Sequence, residues 1–213
     1  RKIMKMKLFL ITIIMTVIDS KAVQAEDYVV DSVNVYRFEG DNTIHIYHFN
    51  DRKQILKEES FLLKQSSWIN NKKLVNKYDD NGLLLSSTNQ TWNNNNWLND
   101  WRKTFKYDNF GNLTEELYEE GNKFDWVNGS KIINSYENGH LKTIETQFWD
   151  NNKWINFEKE IHDYDSLGNK ISITYQQWGN SQWKNEWKEA FYYEEDLLMT
   201  YSTFDWRSNQ WEN

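Results

Sequence analysis

The chain has 213 residues, a formal net charge of −7, no cysteine and no proline, but twelve tryptophans and twelve tyrosines. The missing thiols exclude disulfides, thiolate metal sites and a cysteine nucleophile, and the acidic balance repels phosphate backbones and argues against nucleic acid as a partner. Average usage of ~5% predicts roughly ten prolines in a chain of this length; a chain without any keeps its backbone N–H groups available as ladder donors, which a sheet needs.

Residues 1–25 read as a secretory signal helix ahead of the fold. Arg1, Lys2, Lys5 and Lys7 make a basic start, Leu8 to Ile18 is an apolar run, and Val23-Gln24-Ala25 places small residues where a signal peptidase cuts. The apolar run falls short of the roughly 20 residues a spanning helix requires, so no stable membrane span is expected after its removal. Met4 is a better translational start than Arg1. The segment carries five Lys/Arg and one acid, a net +4, so the formal −7 becomes −11 beyond residue 25. The expectation is a secreted or cell-surface protein. With no cysteine after the signal, it is not a lipoprotein.

Residues 26–213 read as one repeat domain. Trp68, Trp97, Trp126, Trp154, Trp183 and Trp211 recur at spacings of 28 or 29 residues, the kind of period that marks a repeat architecture. A second tryptophan stands five residues before an anchor at Trp92, Trp149, Trp178 and Trp206, and the remaining two, Trp101 and Trp187, stand four after one. A tyrosine follows each complete anchor by ten residues: Tyr78, Tyr107, Tyr136, Tyr164 and Tyr193. It opens a turn containing Asp79 and Gly82, Asp108 and Gly111, or Asp165 and Gly168. In the third copy the turn is one residue shorter and ends on Gly139. Phe49-Asn50-Asp51 marks a degenerate earlier copy. The chain stops at Trp211-Glu212-Asn213, the opening of another, and the natural protein is expected to continue.

Each period reads as a β-hairpin. Positions 0 and +10 share parity, so a plain strand would put Trp183, Trp187, Phe191 and Tyr193 on one face and an apolar column, Ile69, Leu98, Val127 and Ile155 with Val75, Ile133 and Ile161, on the other. The Asp/Asn-Gly turn then reverses the chain, a second strand runs to the second tryptophan, and four polar residues lead to the next anchor. The expected fold is all-β: about six tandem hairpins and roughly twelve antiparallel strands, joined as one twisted or coiled meander sheet. The second copy holds Gly121 where a tryptophan is due, so that hairpin is expected to be the weakest and locally irregular.

The Tyr-Asp-x-x-Gly-Asn turns resemble the YD repeats of Rhs-type proteins, whose hairpins form long spiralling sheets. The added Trp-x-Asn step and Trp-x4-Trp loop look more like uncharacterised secreted repeat proteins of Bacteroidetes. The resemblance covers residues 49–213 and implies architecture. It brings no catalytic residue and no cofactor.

The residues themselves offer little catalytic chemistry. His45 and His48 lie three apart, on opposite faces of a strand, and make a poor metal pair. Asp79, Asp108 and Asp165 recur once per period, as structural turn residues do, although their oxygens would suit calcium. Glu119-Glu120 and Glu194-Glu195 point apart in a strand. No Ser/His/Asp order, phosphate loop or metal motif is present, and the three Asn-x-Ser/Thr triplets matter only in a host that glycosylates them. The expectation is a non-catalytic scaffold or interaction module. The alternative is a carbohydrate-binding module in which Trp92, Trp97, Trp149, Trp154, Trp178 and Trp183 offer an open aromatic face to a glycan. The partner, a glycan or another surface protein, is not specified by the sequence.

Overall fold

The computed structural model describes residues 43–194 and 197–212, so residues 1–25, read above as a signal helix, lie outside the described residues. Thirteen strands follow one another: β1 (Thr43–Phe49), β2 (Ile55–Lys64), β3 (Ser67–Tyr78), β4 (Leu84–Asn93), β5 (Asn96–Tyr107), β6 (Leu113–Asn122), β7 (Asp125–Glu137), β8 (His140–Asp150), β9 (Lys153–Tyr164), β10 (Lys170–Gly179), β11 (Gln182–Glu194), β12 (Leu197–Arg207) and β13 (Gln210–Glu212). They form one open antiparallel sheet whose spatial order is the sequence order. The expected meander of hairpins is therefore the fold, with one strand more than the rough count.

The hairpins reverse by two different devices. At the tyrosine end, Asp79 Oδ1 accepts the backbone N–H groups of Asn81 and Leu83; Asp108 and Asp165 do the same for Phe110 and Asn112, and for Leu167 and Asn169. Gly82, Gly111 and Gly168 follow at φ of 90°, 85° and 90°, a region only glycine enters without strain. In the degenerate first copy Asn50 Oδ1 plays the aspartate's part towards Arg52 and Gln54, and Lys53 occupies the glycine position at φ 59°. The short third turn passes through Asn138 and Gly139, both at positive φ. At the tryptophan end the four polar residues are not a loop. The outer two pair with each other, as Asn93 does with Asn96, and only two residues turn. Asn94 and Asn95, Asn151 and Asn152, Asn180 and Ser181 all sit at positive φ, the signature of a type I′ turn, which matches strand twist and favours asparagine.

Two bulges recur in each period, and the first overturns the face assignment made from parity. Asn89 pairs with Trp101 and Gln90 with Asn99, which leaves Asp100 over; Asn71, Gly129, Phe157 and Glu186 are the extra residues in the other copies. An extra residue inverts the alternation beyond it. Trp183 opposes Trp178 and Trp187 opposes Tyr175, and Tyr175 and Trp178 lie three apart in a strand without a bulge between them. Trp187, and with it Phe191 and Tyr193, therefore face away from the anchor Trp183. The column at +1 shares their face, whereas the residues at +7 share the anchors' face. A second bulge falls opposite each turn tyrosine, for instance between Lys77 and Tyr78.

No second layer covers the sheet among the described residues. Ile44 and Ile46 are its only buried apolar side chains, and both faces are clad by long, half-buried side chains instead.

Candidate functional site: the tryptophan face

The anchor tryptophans and their partners meet across the type I′ turns. Trp92 and Trp97, Trp149 and Trp154, Trp178 and Trp183, and Trp206 and Trp211 form edge-to-face pairs with ring centroids 5.1, 5.0, 5.1 and 4.8 Å apart. Pairs of this geometry contribute about 0.5–1.5 kcal/mol beyond the area they bury. The structure thus brings the six residues proposed for ligand binding together as three pairs on one face of the sheet. None lies open: each is partly covered.

Over the anchors, part of the cover comes from cations that the reading for aromatic residues passed over. Lys73, Arg102, Lys131, Lys159 and Lys188 stand five residues after successive anchors. Four of them lie over the anchor of the next copy: Lys73 over Trp97 at 4.5 Å, Arg102 over Trp126 at 4.8 Å, Lys131 over Trp154 at 4.5 Å and Lys159 over Trp183 at 5.7 Å. Such contacts contribute about 0.5–1 kcal/mol at exposed sites. Burial, and then repulsion from Lys57, holds the Lys73 ammonium below the ordinary lysine range. The row is completed by amides. Gln90, Gln147 and Gln176 each donate from Nε2 to the Oδ1 of Asn99, Asn156 and Asn185, at 2.8–2.9 Å. The asparagine belongs to the Trp-x-Asn step, so that short pattern is a cross-strand amide pair.

The copy without its second tryptophan changes three positions together. Gly121 stands for tryptophan, Glu119 for glutamine and Arg102 for lysine. Arg102 forks onto Glu119 through Nε and Nη2 at 2.6 and 2.7 Å, and Glu119 is only 7% exposed. A Cβ on Gly121 would lie 2.1 Å from the Asn99 carbonyl oxygen. With no side chain there, the end of β6 closes on β5, and the Asn99 N–H donates to the Lys123 carbonyl at 2.8 Å. Here only Lys123 takes positive φ in the turn. The expected irregularity exists, but it is a tightening of the turn; the strands on either side keep the register of the other copies.

The opposite face carries the turn tyrosines and a stacked pair, Tyr175 and Trp187, with centroids 3.6 Å apart. Tyr78, Tyr107, Tyr136 and Tyr164 donate their hydroxyls to the carbonyls of Ile55, Leu84, Leu113 and Leu141 one strand back. Burial raises the hydroxyls of Tyr78, Tyr107 and Tyr164 above the usual phenol range. Asn76 and Asn134, two residues before a tyrosine, donate to the same carbonyls. His162 occupies that slot in the fourth copy, 3% exposed, and neither ring nitrogen makes a hydrogen bond, although Nε2 lies 3.2 Å from Glu160 Oε2. Burial holds the imidazole below its ordinary range.

The other candidate chemistry disperses. His45 and His48 reach separate carboxylates, Glu58 at 2.8 Å and Glu59 at 3.3 Å. No group of three potential metal ligands forms among the described residues. The turn aspartates are occupied by backbone N–H groups. A hydrogen bond from the Asn112 side chain leads in lowering the Asp108 carboxyl, and in Asp165 the bonds from Asn169 outweigh desolvation to the same end.

No protein-family model matches the chain, and no curated protein matches it by sequence. Among solved structures it is similar to a DUF3836 family protein from Bacteroides vulgatus (19% identity, 55% of this chain and 91% of that one, TM-score 0.29). It is also similar to a protein of unknown function from Bacteroides fragilis (14% identity, 70% and 91%, TM-score 0.29). A third likeness is to the TcdB2-TccC3 structure (18% identity, 70% of this chain and 9% of that one, TM-score 0.31). With scores this low, the fold assignment rests on the strand pairing within this chain.

Proposed function

We propose that the chain is a non-catalytic repeat scaffold or interaction module of the YD-like kind, exported to the cell surface or the medium. The observation that carries this reading is the use made of the aromatic rings. Trp97, Trp154 and Trp183 are engaged by their partner tryptophans and, over their faces, by Lys73, Lys131 and Lys159, and Trp126 lies under Arg102. A ring face under an ammonium group is not free to stack on a sugar. The polar residues that recur, Asp79, Asp108, Asp165 and the Gln–Asn pairs, are likewise satisfied within the sheet.

In a quasi-one-dimensional array, stability is approximately a sum over units and their neighbours. Excising one period, residues 126–153, should leave a folded but less stable sheet by circular dichroism and urea titration. A chain that loses all structure would count against the scaffold reading. Titration with polysaccharides, read by intrinsic tryptophan fluorescence, should give no saturable shift. A shift abolished by Trp154→Ala or Trp183→Ala would replace the scaffold with the glycan-binding reading. Export is checked separately, by fusing residues 1–25 to a reporter and sequencing the processed N-terminus.

A further inference from the structure

On the face opposite the anchor tryptophans, β9, β10 and β11 form a cleft of about 430 Å³. The stacked rings of Tyr175 and Trp187 line it, together with Glu158, Glu160, Gln177 and Glu186. The strand register accounts for this assembly. Glu160 pairs with Tyr175, Tyr175 with Trp187, and Glu158 with Gln177, so one face carries them all. Glu186 is the extra residue of the β11 bulge, and Glu189 stands on the same face two residues beyond Trp187. The ring pair is particular to this place: its position is held by Ser60 and Lys72, Asn89 and Trp101, Tyr118 and Ser130, and Thr146 and Glu158 in the other copies. The carboxylates have no cation of their own. Glu158, Glu186 and Glu189 make no ion pair among the described residues. Glu160 Oε2 lies 3.2 Å from His162 Nε2, but that imidazole is 3% exposed, makes no hydrogen bond and is held below its ordinary range by burial. Burial, and then repulsion from Glu158, raises the Glu160 carboxyl above the usual carboxylate range, although Lys170 acts in the opposite sense.

The molecule shows elsewhere what such a set of groups holds. On the anchor face the Arg102 guanidinium forks onto Glu119 at 2.6 and 2.7 Å and lies 4.8 Å over the Trp126 ring. The cleft offers the same two elements, carboxylate and indole, without the cation. We propose that it binds a guanidinium group, free or on an arginine side chain of a partner protein, seated against the Tyr175–Trp187 pair and forked onto Glu160. This rests on the interaction-module reading and names the chemistry that the module recognises. A guanidinium is planar and weakly hydrated, so it stacks on aromatic rings where an ammonium keeps its water, and its paired N–H groups match the two oxygens of one carboxylate. Glu158 and Glu186 add negative charge around it, and the Gln177 amide oxygen can accept a remaining N–H.

Agmatine titrated into the whole chain at low salt, followed by calorimetry, should give a saturable isotherm with Kd on the order of 0.1–1 mM for so small a ligand. A glycyl-arginyl-glycine peptide with blocked ends is the second probe. Binding of one probe alone assigns the source of the guanidinium, and binding of both assigns the group itself. The Glu160→Gln and Trp187→Leu variants should each bind at least about tenfold more weakly, while keeping the far-ultraviolet spectrum of the parent. Glu145→Gln, which removes a carboxylate from the anchor face, should bind as the parent does. The neutral urea analogue of agmatine should not bind, and 1,4-diaminobutane should bind more weakly than agmatine. No saturation with either probe, parent-like binding by Glu160→Gln or Trp187→Leu, equal weakening by Glu145→Gln, or equal binding of the urea analogue or the diamine would each overturn the proposal. Each would leave the scaffold reading standing, because that reading is decided by excision and by polysaccharide titration.

Discussion

At the tryptophan end of the sheet five of the six reversals are two-residue turns with both residues at positive φ, closed by indole pairs in four cases. At the tyrosine end the reversals depend on a particular carboxylate or amide, a glycine and a hydroxyl one strand back. At the polar end each group satisfies named backbone donors or acceptors, and a turn that departs from the set does so by a like group or a shorter reversal: Asn50 takes the aspartate's part, Lys53 the glycine's place, and Asn138-Gly139 shortens the third turn. The aromatic end tolerates a whole substituted set, Gly121 with Glu119 and Arg102, because large side chains and an ion fork both fill the space above a sheet. The difference is between directional bonds, which fix identity, and packing, which fixes volume.

The sharpest break is Gly121→Ala. Its Cβ would meet the Asn99 carbonyl rather than a movable side chain, so a loss of about 3 kcal/mol is expected, at the upper end of overpacking costs. Urea unfolding gives the value. Trp154→Ala at the aromatic end should cost about 2 kcal/mol, less than a fully buried tryptophan, and should remove part of the near-ultraviolet exciton signal of the indole pairs. An undiminished exciton signal would refute the pairing.

Among directional bonds the effects are smaller. His162→Asn puts the residue of Asn76 and Asn134 into the same slot and should stabilise by about 1 kcal/mol through a satisfied donor. It also tests pH dependence. The folded imidazole is held below its ordinary range, so as pH falls below about 6.5 the unfolded chain takes up the proton first and the native chain loses stability. The variant should flatten melting temperature against pH between about 7 and 5. Tyr164→Phe removes the bond to the Leu141 carbonyl at 3.0 Å and should cost about 1 kcal/mol. Lys53→Gly relieves the one tyrosine-side turn with four-residue spacing that lacks its glycine among the described residues and should stabilise by about 0.5–1 kcal/mol.

Much of this was legible in the residues. The 29-residue period, the hairpins, the sequential strand order and the turn positions Asp79, Gly82, Asp108, Gly111, Gly139, Asp165 and Gly168 follow from spacing and turn chemistry. The face on which each aromatic lies did not. The bulged residues Asn71, Asp100, Gly129, Phe157 and Glu186 share no chemistry, because a bulge is a backbone event that asks little of its side chain. Two-residue periodicity therefore runs true up to position +2 and is inverted beyond it. The cations at +5 form a column as regular as the tyrosines, but their meaning depends on a contact that spans two strands, and no local pattern specifies that.

The strict succession of strands bears on how the chain comes to be folded at all. Sheets usually fold slowly because distant segments must find each other. Here each pairing joins segments already adjacent along the chain, so a strand leaving a ribosome or a pore finds its neighbour formed and waiting. The array can grow from its N-terminal side in the order in which it is made, one hairpin at a time.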